Sequence, residues 1–184
     1  MKNIVFLFTF SMLLANCKIA PKKENTIGLT TQKAMVVSAR IEASNIGTAI
    51  LKKGGNAFDA MMATELALAV AYPYAGNIGG GGFMVYRKSN GEIGALDYRE
   101  KAPLAATRDM YLDNDGNIIK GKSTVGASAV GVPGTIAGVF KAQEKLGLLS
   151  VKEILSPVIE LAKKGVVVTK KQEVDIIYSP YWKR

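Results

Sequence analysis

The strongest constraint on the fold of this sequence is the segment 57–71, which is apolar on nearly every side of a helical projection. Asn56 precedes it and is a favourable helix N-cap residue, and Pro73 follows it and does not continue a helix. The pattern therefore predicts one helix between these two residues. A helix that is apolar all round is expected to be buried by other elements.

Apolar runs on both sides of this helix predict further elements. Residues 35–37 form a short apolar run that predicts a strand. From Arg40, apolar residues recur at helical spacing until Gly54 and Gly55, which predicts a helix with a glycine C-cap. Further along, the runs 83–87 and 93–99 flank an Asn-Gly pair, which is a strong indication of a β-hairpin.

The last third of the chain predicts two more helices. One covers residues 133–146, and the next begins at Ser150, where Glu153 completes a capping box, and continues to Ala162. Residues 165–168 predict a turn and a short strand. Residues 100–134 are too long for a plain connection, so they are expected to be functional or to contain short elements.

Two glycine-containing motifs raise the question of ligand binding. The four consecutive glycines at residues 79–82 imply close approach of the backbone to a ligand or to another strand. Residues 116–123 satisfy the P-loop expression G-x-x-x-x-G-K-[ST]. A P-loop requires a buried strand before it and a helix after it, and the sequence predicts neither. We interpret the match as a chance one and keep nucleotide binding as an alternative.

Composition excludes several kinds of chemistry. The chain has one Cys and no His, so it cannot by itself form a zinc site of the Cys/His type, a Ser-His or Cys-His catalytic pair, or a disulfide framework. No metal or cofactor is expected. Lys and Arg number 24 against 15 acidic residues, a formal charge of +9. The basic residues are scattered as short pairs, which favours solvated helix ends over a nucleic-acid-binding patch.

Residues 1–17 have the pattern of a secretory signal, with one basic residue, Lys2, and then an apolar run too short to span a bilayer stably. The run ends in Leu-Ala-Asn-Cys, which resembles a bacterial lipoprotein box with Cys17 as the lipidation site. Ordinary cleavage near this position is the alternative. The sequence therefore predicts an exported protein of the periplasm or cell envelope, with a flexible tether over 18–31 and a folded part over 32–184.

Arg99 is the most suggestive single residue for binding. It lies at the end of the second predicted strand, where alternation places Asp97 on the same face. A guanidinium there could hold a substrate carboxylate through two parallel hydrogen bonds, a geometry that lysine cannot reproduce. The alternative is an ion pair with Asp97 or Glu100 at a sheet edge.

Three segments in the same order, residues 54–60, 73–84 and 97–103, resemble the opening portion of the gamma-glutamyltransferases, and the resemblance covers residues 35–168. It implies an α+β fold that is part of the αββα sandwich of N-terminal nucleophile hydrolases. It also implies glutathione or another gamma-glutamyl compound as substrate, cleaved through an acyl-enzyme on the N-terminal Thr of a small subunit. Arg99 matches the arginine of the family that binds the glutamate α-carboxylate.

The sequence departs from the family in its nucleophile. The resemblance implies a nucleophilic Thr in a downstream, His-containing motif, which this chain lacks. Its threonines are therefore not assigned as nucleophiles; they include Thr64, Thr107, Thr124 and Thr135. We expect a truncated large subunit whose partner is the missing C-terminal portion and which is inactive alone. The alternative is a non-catalytic envelope lipoprotein that binds a partner through exposed apolar sheet surface.

Overall fold

The computed structural model describes residues 28–76 and 78–178. The predicted export signal and Cys17 lie outside the described residues. The chain divides into two compact units, residues 1–34 and 35–184. Among the described residues, the second unit contains five α-helices and one two-stranded sheet. In chain order these are α1 (Ile41–Lys52), α2 (Ala57–Ala71), β1 (Phe83–Arg87), β2 (Ile93–Asp97), α3 (Thr135–Leu146), α4 (Val151–Lys164) and α5 (Lys170–Tyr178).

The predicted buried helix is α2, and its first turn is fixed by a capping box. The Asn56 side chain accepts hydrogen bonds from the amides of Phe58 and Asp59, and the Asp59 carboxylate accepts one from the Asn56 amide. α2 packs against α1, α3 and α4. The core forms where these four helices meet, and its buried members are Ala43, Ile50, Ala60, Met62, Ala63, Leu66, Ala67, Val139, Ile154 and Val158.

α1 ends as the sequence predicts, at two glycines. The amide of Gly54 donates to the Leu51 carbonyl (3.1 Å), and that of Gly55 donates to the Ile50 carbonyl (3.0 Å). This pair of bonds is the Schellman motif, and Gly54 has the positive φ of +100° that the motif requires at its first residue beyond the C-cap. The turn brings the chain directly to the start of α2.

The hairpin is antiparallel, with Phe83 opposite Asp97 and Arg87 opposite Ile93. One face packs towards the helices, where the Tyr86 ring meets the edge of Phe58 at a centroid distance of 5.3 Å. Apolar side chains cover the opposite face and are well exposed: Phe83 is 64% exposed, Val85 78% and Ile93 71%. The hairpin therefore shields the helices on one side and presents apolar surface on the other.

Two predicted strands are wrong. Residues 35–37 pair with no strand in the described part of the chain, and Val36 instead packs against the helical core. Residues 165–168 are likewise unpaired among the residues described. An apolar run indicates that a segment seeks burial, whereas a strand also needs a neighbour to satisfy its backbone hydrogen bonds. The second hairpin strand also ends at Asp97, although the Tyr98 amide still donates to the Gly82 carbonyl (3.0 Å).

The sequence analysis missed α5, although its capping box is visible in the sequence. The Gln172 side chain accepts from the Thr169 amide (3.0 Å), and the Gln172 amide donates to the Thr169 hydroxyl (3.3 Å). Gln172 also donates to the Ala71 carbonyl at the end of α2 (2.9 Å). The Arg40 guanidinium, just before α1, donates to the Gln172 side chain and to the Val167 carbonyl. Gln172 is therefore linked both to the start of α1, through Arg40, and to the end of α2, through Ala71.

The irregular stretch 100–134 contains short elements, as predicted. Lys101 and Val132 form an isolated antiparallel bridge, as do Leu112 and Ile118, and residues 127–129 form one turn of 3-10 helix. Residues 124–134 contain no α-helix, so the P-loop expression at 116–123 lacks the helix that would direct its amides at a phosphate. No helix in the described part of the chain is long and apolar enough to cross a bilayer.

Candidate functional site

The glycine run packs against the start of α3 and the end of β2. The Gly80 carbonyl accepts hydrogen bonds from the amides of Gly134 (2.8 Å) and Thr135 (3.0 Å). A Cβ on Gly81 would lie 2.7 Å from both the Tyr98 carbonyl oxygen and the Glu100 amide nitrogen. The close backbone approach predicted from the four glycines is therefore present, and the neighbour is the chain around residues 98–100.

The ring of Tyr98 lies between one glycine of this run, Gly82, and one glycine of α3, Gly138. A Cβ on Gly82 would be 2.8 Å from the ring, and a Cβ on Gly138 in α3 would be 2.1 Å from it. Any side chain at either glycine would displace the ring. Because Tyr98 directly precedes Arg99, this packing fixes the backbone from which the arginine projects.

Two titratable groups lie close together behind this backbone, Tyr98 and the half-buried Glu65 of α2. Burial raises the pKa of the Glu65 carboxyl above its usual range. Burial also raises the pKa of the Tyr98 hydroxyl, and the nearby Glu65 charge raises it further. Tyr98 therefore remains a neutral phenol at physiological pH and supplies packing and a hydroxyl rather than a base.

Arg99 projects from the exposed face at the end of β2. Its amide donates to the Asp97 carboxylate (3.0 Å), which fixes the local turn. Its guanidinium lies 5.7 Å from the centre of the Phe83 ring, in the arrangement of a cation–π contact. The predicted pairing with Glu100 exists only as a long contact of 3.9 Å between Nε and Oε2, and the Arg99 side chain is 65% exposed. Such a pair is weak, so the guanidinium is accessible to a carboxylate from solution.

An open cleft of about 530 Å³ lies beside Arg99. One wall is residues 96–101, and the other is residues 132–134 together with Ala137, Gly138 and Lys141 of α3. The volume is in the range of small-molecule sites, and the lining combines apolar surface with a few charged groups. Tyr98 of the first wall packs directly against Gly138 of the second. The sequence analysis did not identify Lys141, because only the packing of α3 on β2 brings it to the cleft.

The four threonines named above do not line this cleft. The buried Thr64 donates to the Ala60 carbonyl (2.7 Å) and Thr124 donates to the Gly121 carbonyl (3.1 Å). Thr107 is exposed in a turn, and Thr135 is buried at the start of α3. In residues 28–76 and 78–178 there is also no group of three or more potential metal ligands.

Comparisons of the chain with a family model and with known proteins agree on one family. The family model described as Gamma-glutamyltranspeptidase matches residues 43–178. The glutathione hydrolase proenzyme of Pseudomonas sp. (strain A14) is 53% identical over 148 residues, which is 80% of this chain and 26% of that protein. The Escherichia coli (strain K12) glutathione hydrolase proenzyme is 47% identical over 137 residues, 74% of this chain and 24% of its own length. The chain thus spans about a quarter of the length of these relatives.

Solved structures of similar proteins agree with the sequence comparison. The Helicobacter pylori gamma-glutamyltranspeptidase superposes with a TM-score of 0.76 at 42% identity, covering 85% of this chain and 47% of that one. The Pseudomonas nitroreducens gamma-glutamyltranspeptidase complexed with L-DON gives a TM-score of 0.73 at 46% identity, over 78% and 43% of the two chains. The mixed helical fold with a small sheet therefore corresponds to part of a larger known fold.

Proposed function

Since the chain belongs to the gamma-glutamyltranspeptidase family, we propose that it forms the glutamate-binding part of an enzyme acting on gamma-glutamyl compounds such as glutathione. Arg99 binds the α-carboxylate of the glutamyl group. The observation that carries the proposal is the placement of Arg99: it is exposed beside an open cleft, and neither Asp97 nor Glu100 bonds its guanidinium closely.

The geometry around Arg99 suits carboxylate binding. A planar guanidinium binds a carboxylate through two parallel hydrogen bonds, and the Phe83 ring beneath it restricts the directions in which the arginine points. The fixed turn at Asp97 restrains the backbone at the base of the side chain. When Arg99 holds the α-carboxylate of a glutamyl group, the gamma-amide nitrogen lies five bonds from the carboxylate carbon. The gamma-amide is then presented to the groups that cleave it.

The cleavage step needs groups that the cleft does not contain. Acyl transfer from a gamma-glutamyl amide requires a hydroxyl activated by a base and donors that stabilise the oxyanion. We propose that an N-terminal Thr from a segment outside this sequence supplies the nucleophile, with its own α-amine as base. Residues 1–184 alone are then inactive, and the acyl-enzyme forms only when that segment completes the site.

The same proposal gives the exposed face of the hairpin a role in the interior of the complete sandwich. In an αββα sandwich, two sheets pack face to face and bury the apolar side chains between them. Phe83, Val85 and Ile93 are exposed on the face that would become this interior. A second candidate function, a non-catalytic envelope protein that binds a partner through this apolar face, is favoured by the same exposure.

A chimeric enzyme distinguishes the two candidates. Residues 43–178 replace the matching region of the Pseudomonas sp. (strain A14) proenzyme, and hydrolysis of a gamma-glutamyl anilide is measured. The proposal predicts turnover in the chimera and none in the 184-residue chain alone. Arg99→Ala should lower kcat/KM by roughly 100-fold, in the range for loss of hydrogen bonds to a charged group, and Arg99→Lys should not restore it.

Arg108 provides the matched control for this experiment, because its side chain is 95% exposed and does not line the cleft. Arg108→Ala should leave kcat/KM within twofold. A chimera that keeps full turnover with Arg99→Ala would refute the assignment of Arg99, and turnover by the 184-residue chain alone would refute the external nucleophile.

We further propose that the protein is exported and carries a lipid on Cys17. The support is the sequence of residues 1–17, with its apolar run and its Leu-Ala-Asn-Cys ending. Growth with a clickable fatty acid should label the wild-type protein in the envelope fraction, and Cys17→Ser should abolish the label. An unlabelled protein in the periplasmic fraction would instead support ordinary cleavage.

A further inference from the structure

The cleft beside Arg99 carries positive charge on both of its walls. Arg99 and Lys101 belong to the wall that continues β2, and Lys141 belongs to the α3 wall. Apolar side chains from both walls, including Leu96, Val132 and others, lie in the same cleft. A ligand that fits this arrangement has two anionic groups joined by a less polar segment.

The acidic groups of the cleft leave these cations accessible. Asp97 is engaged with the Arg99 amide (3.0 Å), and Glu100 approaches the Arg99 guanidinium only to 3.9 Å. Lys141 pairs with Glu144 (2.7 Å), one helical turn further along α3, and Glu144 does not line the cleft. The side chains of this pair are 49% and 67% exposed. An ion pair of that exposure is weak, so Lys141 can exchange Glu144 for a ligand carboxylate.

We propose that Lys141 binds a second carboxylate of the ligand whose first carboxylate is bound by Arg99. The cleft then selects gamma-glutamyl peptides with a free C-terminal carboxylate over gamma-glutamyl amides that lack it. This assignment rests on the proposed function. The two cations suit these roles, because arginine fixes one carboxylate through two hydrogen bonds, while lysine follows a more variable terminal carboxylate as a point charge.

Binding of two matched ligands to the 184-residue chain tests the proposal without requiring turnover. Glutathione and glutathione amidated at its glycine carboxyl differ only in the second carboxylate. Titration at low ionic strength should give a Kd for glutathione about threefold lower than that for the amide, as expected for one exposed charge pair. Lys141→Ala should remove this difference by weakening glutathione alone, and Lys141→Glu should reverse it.

Lys145 is the control, since it is an exposed lysine on the same helix that also lies beside Glu144 but does not line the cleft. Lys145→Ala should preserve the threefold preference. Arg99→Ala should weaken both ligands equally, because both retain the glutamyl α-carboxylate.

The outcomes separate the two assignments. A preference for glutathione that survives Lys141→Ala, with both ligands still dependent on Arg99, overturns the role of Lys141 and leaves the proposed function intact. A preference that depends on Lys141, with neither ligand affected by Arg99→Ala, supports the second carboxylate site and overturns the role of Arg99. Failure of both ligands to bind overturns both assignments.

Discussion

The carboxylate of Asp59 accepts a hydrogen bond from the backbone amide of Leu148 (3.1 Å), 89 positions further along the chain. The same side chain accepts from the amides of Asn56 (2.9 Å) and Leu149 (3.4 Å) and is fully buried. One aspartate therefore caps α2 and also accepts hydrogen bonds from the backbone amides of the turn that joins α3 to α4. The helical layer behind the cleft is held in place at this point.

Replacing Asp59 with Ala should lower the free energy of unfolding by about 3 kcal/mol. The substitution removes a carboxyl acceptor and leaves partly buried amide donors without partners, which is costly. Urea denaturation followed by circular dichroism measures the change. Asp109→Ala is the matched control, because Asp109 is 66% exposed in a surface ion pair, and its loss should change stability by less than about 0.5 kcal/mol. Equal effects of the two variants would contradict the prediction.

Gly134 should tolerate no side chain. A Cβ there would lie 1.9 Å from the Tyr98 carbonyl oxygen, which is backbone and cannot rotate away. We expect Gly134→Ala to destabilise the fold by about 3 kcal/mol, the upper range for an overpacked site. A Cβ on Gly131 would meet the exposed Glu100 side chain at 3.0 Å, which can move, so Gly131→Ala should have less than half that effect. Thermal unfolding of both variants tests this ranking.

The elements that the sequence predicts well are those with their signals in adjacent residues. The Asn56 cap precedes α2, the Asn-Gly turn joins the hairpin strands, and Ser150 with Glu153 begins α4. The strand predicted at residues 35–37 is wrong because its formation depends on a pairing partner, which a local pattern does not report. The signal for α5 is equally local, because Thr169 and Gln172 form a capping box directly at its start.

The residues of the candidate site also differ in whether the local sequence identifies them. Arg99 was identified from its place at a strand end and from the family resemblance of the surrounding motif. Lys141 and the packing of Tyr98 against Gly138 depend on how α3 docks on the hairpin, about forty positions away in sequence. Helical periodicity places Lys141 on an exposed face of α3, but it does not tell which element lies opposite that face.

The attachment of α5 should depend on Arg40. This side chain is 10% exposed and bonds Gln172 and the Val167 carbonyl, and Gln172 in turn bonds the Ala71 carbonyl. Arg40→Ala should accelerate amide hydrogen exchange within α5 about tenfold, because loss of these bonds favours local opening. Lys171→Ala removes only an exposed pair on α5 itself and should leave exchange nearly unchanged. Unchanged exchange in the Arg40 variant would show that other contacts hold the helix.

Glu65 should make the free energy of unfolding depend on pH, because protonation of its half-buried carboxyl in mild acid stabilises the folded state. Burial raises its pKa in the folded state above the ordinary value of 4.5, so the folded state binds a proton more readily than the unfolded state. The stability that this proton contributes is complete below pH 4.5 and is lost as the pH rises through the folded pKa. Glu65→Gln should therefore increase the free energy of unfolding at pH 7, with a gain that disappears towards pH 4.

Glu144 is the control of opposite sign. The hydrogen bond from Lys141 lowers the pKa of its carboxyl, so its contribution is present above pH 4.5 and is lost as the pH falls through the lowered value. Glu144→Gln should slightly reduce stability at pH 7 and leave it unchanged in acid. Urea denaturation of the Glu65 variant at pH 7 and pH 4, and of the Glu144 variant at pH 7 and at a pH below the lowered pKa of Glu144, gives the two differences. If Glu65→Gln destabilises the protein at pH 7, the Glu65 carboxylate has a favourable partner in the folded state and the predicted sign is wrong.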